Sequence, residues 1–171
     1  VRGTSGSRKE TAAIKELASQ FKRDWQAYAE GKVRMLKDKD ITEKLMQKRN
    51  LILFGFPHTN EIISRLSEAL PFRLTKKNIV LPDGNRYATE DHGIILTYPN
   101  PLVKEERYIV IYHGLPWGEH RSKNHKFDRI PDFAIYSSEP LPELNVNRYK
   151  AAGFFDTEWE YAPANTDFLT K

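Results

Sequence analysis

Five residues near the start of the chain, Gly3-Thr4-Ser5-Gly6-Ser7, come within one position of the Gly-x-Ser-x-Gly elbow that presents a serine nucleophile on a sharp strand-to-helix turn. Ser7 stands where the elbow has its last glycine, and only Val1 and Arg2 precede the motif. The same residues also suit a plain βα turn. Its glycines tolerate positive φ, Ser7 caps the helix that follows, and N–H groups at the helix start attract phosphate or carboxylate. His58, in the turn Gly55-Phe56-Pro57-His58-Thr59-Asn60, projects near that first turn if the two strands lie close in one parallel sheet. The alternative is a ring that satisfies a turn carbonyl while Thr59 or Asn60 caps the next helix. No complete serine-histidine-aspartate set can be drawn, so no catalytic residue is assigned. The expected ligand contacts are Gly3, Ser5, Gly6, Ser7, Gly55, His58, Thr59 and Asn60, with Asn100 from a later strand end, and the expected ligand is small and anionic.

His113, His120 and His125, with Glu119 and Asp128, form the one histidine concentration. Zinc accepts such nitrogen and oxygen ligands, but the spacing matches no ligand pattern and there is no His-Glu-x-x-His helix. No metal is expected. His92 follows Glu90 and Asp91 and suits a turn better than a catalytic dyad. The Walker phosphate loop and the three-glycine dinucleotide fingerprint are both absent, so no cofactor is expected. Trp117, Trp159, Tyr98 and Phe154-Phe155 offer stacking faces for sugars or bases, yet aromatics beside apolar strands usually pack in the core, and two successive Phe residues on a strand point to opposite sides.

The elements that must position these residues follow from the spacing of apolar side chains. Ser7 and Glu10 have capping-box spacing, and Ile14, Leu17, Ala18, Phe21, Trp25 and Tyr28 recur at three- and four-residue steps, which predicts a helix to about Glu30 ended by Gly31. Val33 to Leu36 reads as a short strand and Lys37 to Asp40 as a charged loop. Thr42 caps a short helix ending near Arg49. Leu51 to Phe54 is the clearest strand, and the helix after it buries Ile62, Ile63, Leu66 and Leu70. Beyond Pro71 the chain is extended. Asn78 to Leu81 and Arg86 to Ala88 flank an Asp-Gly turn, and Gly93 to Tyr98, Tyr108 to Tyr112 and Phe133 to Tyr136 are further strands. The polar interval from Leu115 to Pro131 is an excursion over a site or a surface loop. Helices alternating with strands, then strands in succession, predict an α/β fold: a three-layer α/β/α sandwich, Rossmann-like or flavodoxin-like, with a mixed sheet.

At 171 residues and 39% hydrophobic content, the chain suits one domain, residues 1–171. A net charge of +4 spread along a chain with 23 acidic residues is a weak nucleic-acid signal, and leaves nucleic-acid binding as the weaker alternative. With no cysteine, disulfides, thiolate zinc sites and cysteine nucleophiles are excluded. No apolar run approaches 18 residues and no export leader stands at the start, so no membrane segment or signal is expected in this stretch. Val1 to Ser7 reads as the end of a strand followed by a turn, so the expectation is a fragment of a longer chain.

NLILFGFPHTN (50–60), HGIILTYPNPL (92–102), RYIVIYHG (107–114), IPDFAIYS (130–137) and AAGFFDTEW (151–159) together resemble the carboxy-terminal α/β domain of bacterial prolyl-oligopeptidase-like and esterase-type α/β-hydrolase proteins. YPNPL and AAGFFDTEW are its more specific elements. The resemblance covers about Val1 to Trp159 and implies a non-catalytic accessory domain that follows the hydrolase domain of the same polypeptide and packs against it or presents ligand to it. It further implies a secreted or extracytoplasmic protein. The nucleophile of such proteins belongs to the upstream module, so no catalytic residue transfers to this chain. An independent ligand-binding or hydrolytic domain is the competing expectation.

Overall fold

A computed structural model describes residues 1–117, 127, 130–141 and 146–168. Ser7 caps the first helix, α1 (Arg8–Ala29), by accepting from the Glu10 N–H, while Glu10 reaches back to the Ser7 backbone. Its apolar stripe of Ile14, Ala18 and Phe21 is buried. Glu30, not Gly31, adopts the left-handed conformation at the end of the helix, with φ of 52°. Val33 to Leu36 forms no strand. Within the segment expected as a charged loop, Asp38–Asp40 is a short 3₁₀ turn and Asp38 is buried. Thr42 caps α2 (Glu43–Lys48), which precedes β1 (Leu51–Phe54), and Asn60 caps α3 (Glu61–Leu66).

Two sheets follow. β2 (Arg73–Leu74), β3 (Asn78–Val80) and β4 (Arg86–Ala88) form a small antiparallel sheet. β5 (His92–Pro99), β6 (Tyr108–His113), β7 (Phe133–Leu141), β8 (Val146–Gly153) and β9 (Thr166–Phe168) join β1 in a six-stranded sheet of order β1-β6-β5-β7-β8-β9. Only β1 and β6 run parallel; the other four pairings are antiparallel. Val1 to Gly3 extend the sheet past β1, with Arg2 bridging Phe54 on one side and Lys37 on the other, both in parallel sense.

Side chains alternate between the two faces of the large sheet, as the strand period requires. Phe54, Ile95, Tyr112, Ala134 and Tyr136 meet α1. On the other face Leu53, Ile94, Ile111 and Phe133 pack with Met46, Ile62, Ile63 and Leu66, and with Leu74 and Ile79 of the small sheet. One layer is thus a single helix and the opposite layer is part helix, part sheet. This corrects the three-layer α/β/α expectation. Strand content of 30% exceeds the helical 27%, and the three helices of the described residues are too few to cover both faces of a doubly wound sheet. No helix of the described residues is long and apolar enough to cross a membrane.

Candidate functional site

Three turns converge where β1 and β6 end. The first, Gly3 to Ser7, is strung on the second, Gly55 to Asn60, through backbone groups: Gly3 N–H donates to the Phe54 carbonyl and Ser5 N–H to the Thr59 carbonyl, both at 3.0 Å. A Cβ on Gly3 would run into the Thr59 carbonyl, 2.9 Å from its carbon, so only glycine allows this approach. Gly6 has φ of +97° beside the Thr59 methyl, again a glycine requirement. Within the second turn, Phe56 N–H donates to Thr59 Oγ1 at 2.8 Å. Asn60 Oδ1 accepts from Ile62 and Ile63 N–H, and its Nδ2 donates to the Phe54 carbonyl at 3.1 Å.

Glu10 is the charged centre of the region. Its Oε2 accepts from the Ser7 N–H at 2.8 Å and the Ser7 hydroxyl at 2.7 Å, while its Oε1 faces His58 Nε2 at 2.8 Å and Lys76 Nζ at 3.0 Å. The Ser7 hydroxyl first, then His58, the Ser7 N–H and Lys76, hold the carboxyl well below the usual carboxylate range. Lys76 arrives from the turn between β2 and β3, the third of the set. Beneath it, His113 is wholly buried at the end of β6 against the Phe56 ring, 4.3 Å between centroids, and its Nδ1 donates to the Gly55 carbonyl at 3.1 Å. Burial pulls its pKa from 6.5 down to about 4, against the opposing pull of the Gly55 and Thr75 backbones.

Asp38 supports the site from outside. Thr4 Oγ1 donates to Oδ1 at 2.6 Å and Glu61 N–H to Oδ2 at 2.9 Å. Burial opposes ionisation of Asp38, but these bonds and the Lys39 and Thr4 N–H groups outweigh it and leave the carboxyl below its ordinary range. One carboxylate therefore ties the first turn to the start of α3. Between α1 and the strand ends lies a groove of about 660 Å³, floored by Ile14, Leu17, Phe56 and Tyr112 and rimmed by Glu10 and Lys76.

The structure brings Gly3, Ser5, Gly6, Ser7, Gly55, His58, Thr59 and Asn60 to one end of the sheet. Asn100 is not among them. β5 runs antiparallel to β6, pairing Ile94 with His113 and Pro99 with Tyr108, which puts Asn100 at the opposite end. There its N–H donates to the Arg107 carbonyl at 2.7 Å and its Oδ1 accepts from Leu102 N–H, an Asx turn closing the hairpin. Ser5 is exposed, and among the described residues no hydrogen bond joins its hydroxyl to a histidine. His58 goes to Glu10 instead. His92 Nδ1 bonds the Ala88 carbonyl at 3.1 Å, a turn contact. His120, His125, Glu119 and Asp128 lie outside the described residues, and among those described no cluster of three metal-ligating side chains occurs.

Glu10, Asp38, Lys76 and His113 hold this region together, whereas the sequence reading gives Glu10 the helix cap, Asp38 a charged loop and His113 a place in the histidine concentration for which no metal is expected. Only Glu10 carried a usable signal, its place three residues after Ser7. An anion at the start of α1 would have to displace Glu10, whose own carboxylate already takes the Ser7 N–H. No protein-family model, curated protein or solved structure matches the chain.

Proposed function

We propose that this chain is a non-catalytic accessory domain of a peptidase- or esterase-type hydrolase, lying after the catalytic module in an exported polypeptide and packing against it or presenting ligand to it. The observation that carries this reading is the use made of the elbow-like turn. Gly3 N–H donates to the Phe54 carbonyl, Ser5 N–H to the Thr59 carbonyl, and Ser7 caps α1, so the residues that would present a nucleophile instead lock two turns together. The stretches that carry the resemblance fit this, for they are packing residues. Phe155 of the AAGFFDTEW stretch meets Phe72 and Phe133 in the core, and Trp159 lies across Tyr98 and Tyr108.

Ester and peptide-amide turnover by the chain and by Ser5→Ala tests the absence of catalysis. Both should stay at background, and turnover well above it that vanishes in Ser5→Ala would sink the reading. Joined to a hydrolase module of the resembled type, the domain should melt higher and exchange its Val1 to Ser7 amides more slowly. Unchanged melting and exchange would favour the second reading, an independent binding domain, which the groove of about 660 Å³ beside Glu10 and Lys76 supports.

A further inference from the structure

The groove along α1 carries charge at one end and neutral polar groups at the other. Lys9 and Glu10 of the first helical turn, with Lys76 on Glu10, stand at the first end. Ala13, Ile14 and Leu17 continue along the helix, and Phe56 and Tyr112 complete the apolar lining. Leu17, Gln20 and Tyr112 also line a small hollow farther along α1, so they mark the second end. From Glu10 to Leu17 the helix advances about 10 Å, which about three extended residues span.

Charge at the first end is matched except at one residue. Lys76 meets Glu10 and Arg23 meets Glu16, each at 3.0 Å, whereas Lys9 makes no ion pair among the described residues. The excess is a single positive charge, and the Lys76 ammonium keeps hydrogens beyond the one it directs at Glu10. An anionic group complements this end. At the second end Tyr112 is only 4% exposed, its ring held by Phe54 and Phe21 at centroid distances of 5.2 and 5.5 Å. Burial raises its pKa and keeps the hydroxyl protonated, yet among the described residues that hydroxyl makes no hydrogen bond. A buried donor calls for an acceptor. The Gln20 carboxamide, also without a hydrogen-bond partner among the described residues, adds both a donor and an acceptor at the same end. Together they match a peptide group, whose C=O and N–H both need partners, better than an ester or an alkyl chain.

We propose that the groove binds short apolar peptides by a free carboxylate end. The carboxylate lies on Lys9 and Lys76, apolar side chains pack on Ala13, Ile14, Leu17 and Phe56, and a peptide group meets Tyr112 and Gln20. This deepens the binding role of the groove and rests on it. Hydrolysis of a peptide bond creates such a carboxylate, so under the accessory reading the groove holds a product of the catalytic module.

The test titrates the isotopically labelled protein with N-acetyl-trileucine, its carboxamide and decanoate, following the methyl resonances of Ala13, Ile14 and Leu17. The peptide acid should shift them saturably, and the carboxamide should bind roughly tenfold or more weakly. Tyr112→Phe and Gln20→Leu should each weaken the acid roughly three- to tenfold with melting unchanged, since both lose side-chain polar groups without a protein partner. Lys9→Glu should weaken the acid and leave the carboxamide as it was. Absence of saturable shifts, equal binding of the carboxamide, or undiminished binding in either Tyr112→Phe or Gln20→Leu would each overturn the proposal. Decanoate binding at least as tightly as the peptide would also overturn it, by assigning the groove to an acyl chain, and would leave the groove as a binding site. The turnover and hydrolase-module experiments decide the accessory reading separately.

Discussion

Gly3 and Ser5 are two positions apart in one turn, and substitution should separate their roles. Gly3→Ala drives a methyl into the Thr59 carbonyl, an overpacking that costs about 1–3 kcal/mol in urea unfolding. Ser5→Ala keeps the backbone donor to Thr59 and removes only an exposed hydroxyl, so stability should stay within about 0.5 kcal/mol. Equal losses at the two positions would contradict the backbone account of the turn. His113 gives the clearest pH effect. It stays neutral in the folded protein down to about pH 4, whereas the unfolded chain takes up its proton near 6.5, so its stabilisation is full above 6.5 and is lost as pH falls toward 4. The loss over that window is about 3 kcal/mol, taking 1.36 kcal/mol per pKa step. His58 is the titratable group whose charge bears on it. Unfolding of the protein and of His113→Gln between pH 7 and 4 should give curves that converge on the acid side, and parallel curves would show that the ring does not titrate in this window. The signal for His58 lay in its turn, but nothing local marks the burial of His113, because that comes from Phe56 and from the strand ends around it.

At the scale of elements, the central unit of β1 and α3 joins the two faces of the fold. Leu53 and Ile63 are both fully buried, and truncation of either to alanine should cost about 2–5 kcal/mol. Losses below about 1 kcal/mol at both would mean that the faces are misassigned. Caps should differ by burial. Asn60→Ala removes an acceptor for two α3 N–H groups and a donor to the Phe54 carbonyl, so about 2 kcal/mol is expected, against about 0.5–1 kcal/mol for Thr42→Ala at the exposed start of α2. Thermal or urea unfolding of the pair measures the difference, and an equal loss would remove the claim that Asn60 also anchors the end of β1. The helix starts at Ser7 and Thr42 were legible because a cap acts within one turn of the chain. The end of α1 was less so, since Glu30 takes the left-handed conformation expected of Gly31. β8 was missed because its polar residues mask the period of two: in VNRYKAAG it is Ala151 that joins the buried core.

For the whole molecule, hydrogen exchange should be slowest in β5 and β6, which have a partner on each side and a packed layer on each face, and fastest in β9 and β4, which close their sheets. Fast exchange at Ile94 to Leu96 and Ile109 to Tyr112 would be incompatible with this strand order. Apolar spacing by itself determined α1, β1, α3 and the runs of β5 to β7, because helix and strand periods are local properties of the chain. Phe154 and Phe155, expected on opposite faces of a strand, instead lie just past the end of β8, the first exposed and the second buried. Strand order and direction belong to the tertiary structure alone. They depend on pairings such as Ile94 with His113, between residues whose partners no local pattern names. The alternation of helix and strand in the first half suggested a doubly wound sheet, but among the named strands of the described residues only β1 and β6 pair in parallel, and the small sheet β2 to β4 takes the place of helices on one face. The same antiparallel return of β5 carries Asn100 away from the site that holds His58. Glu10 comes from the start of α1 and His58 and Lys76 from two separate turns, and only the folded chain brings the three together.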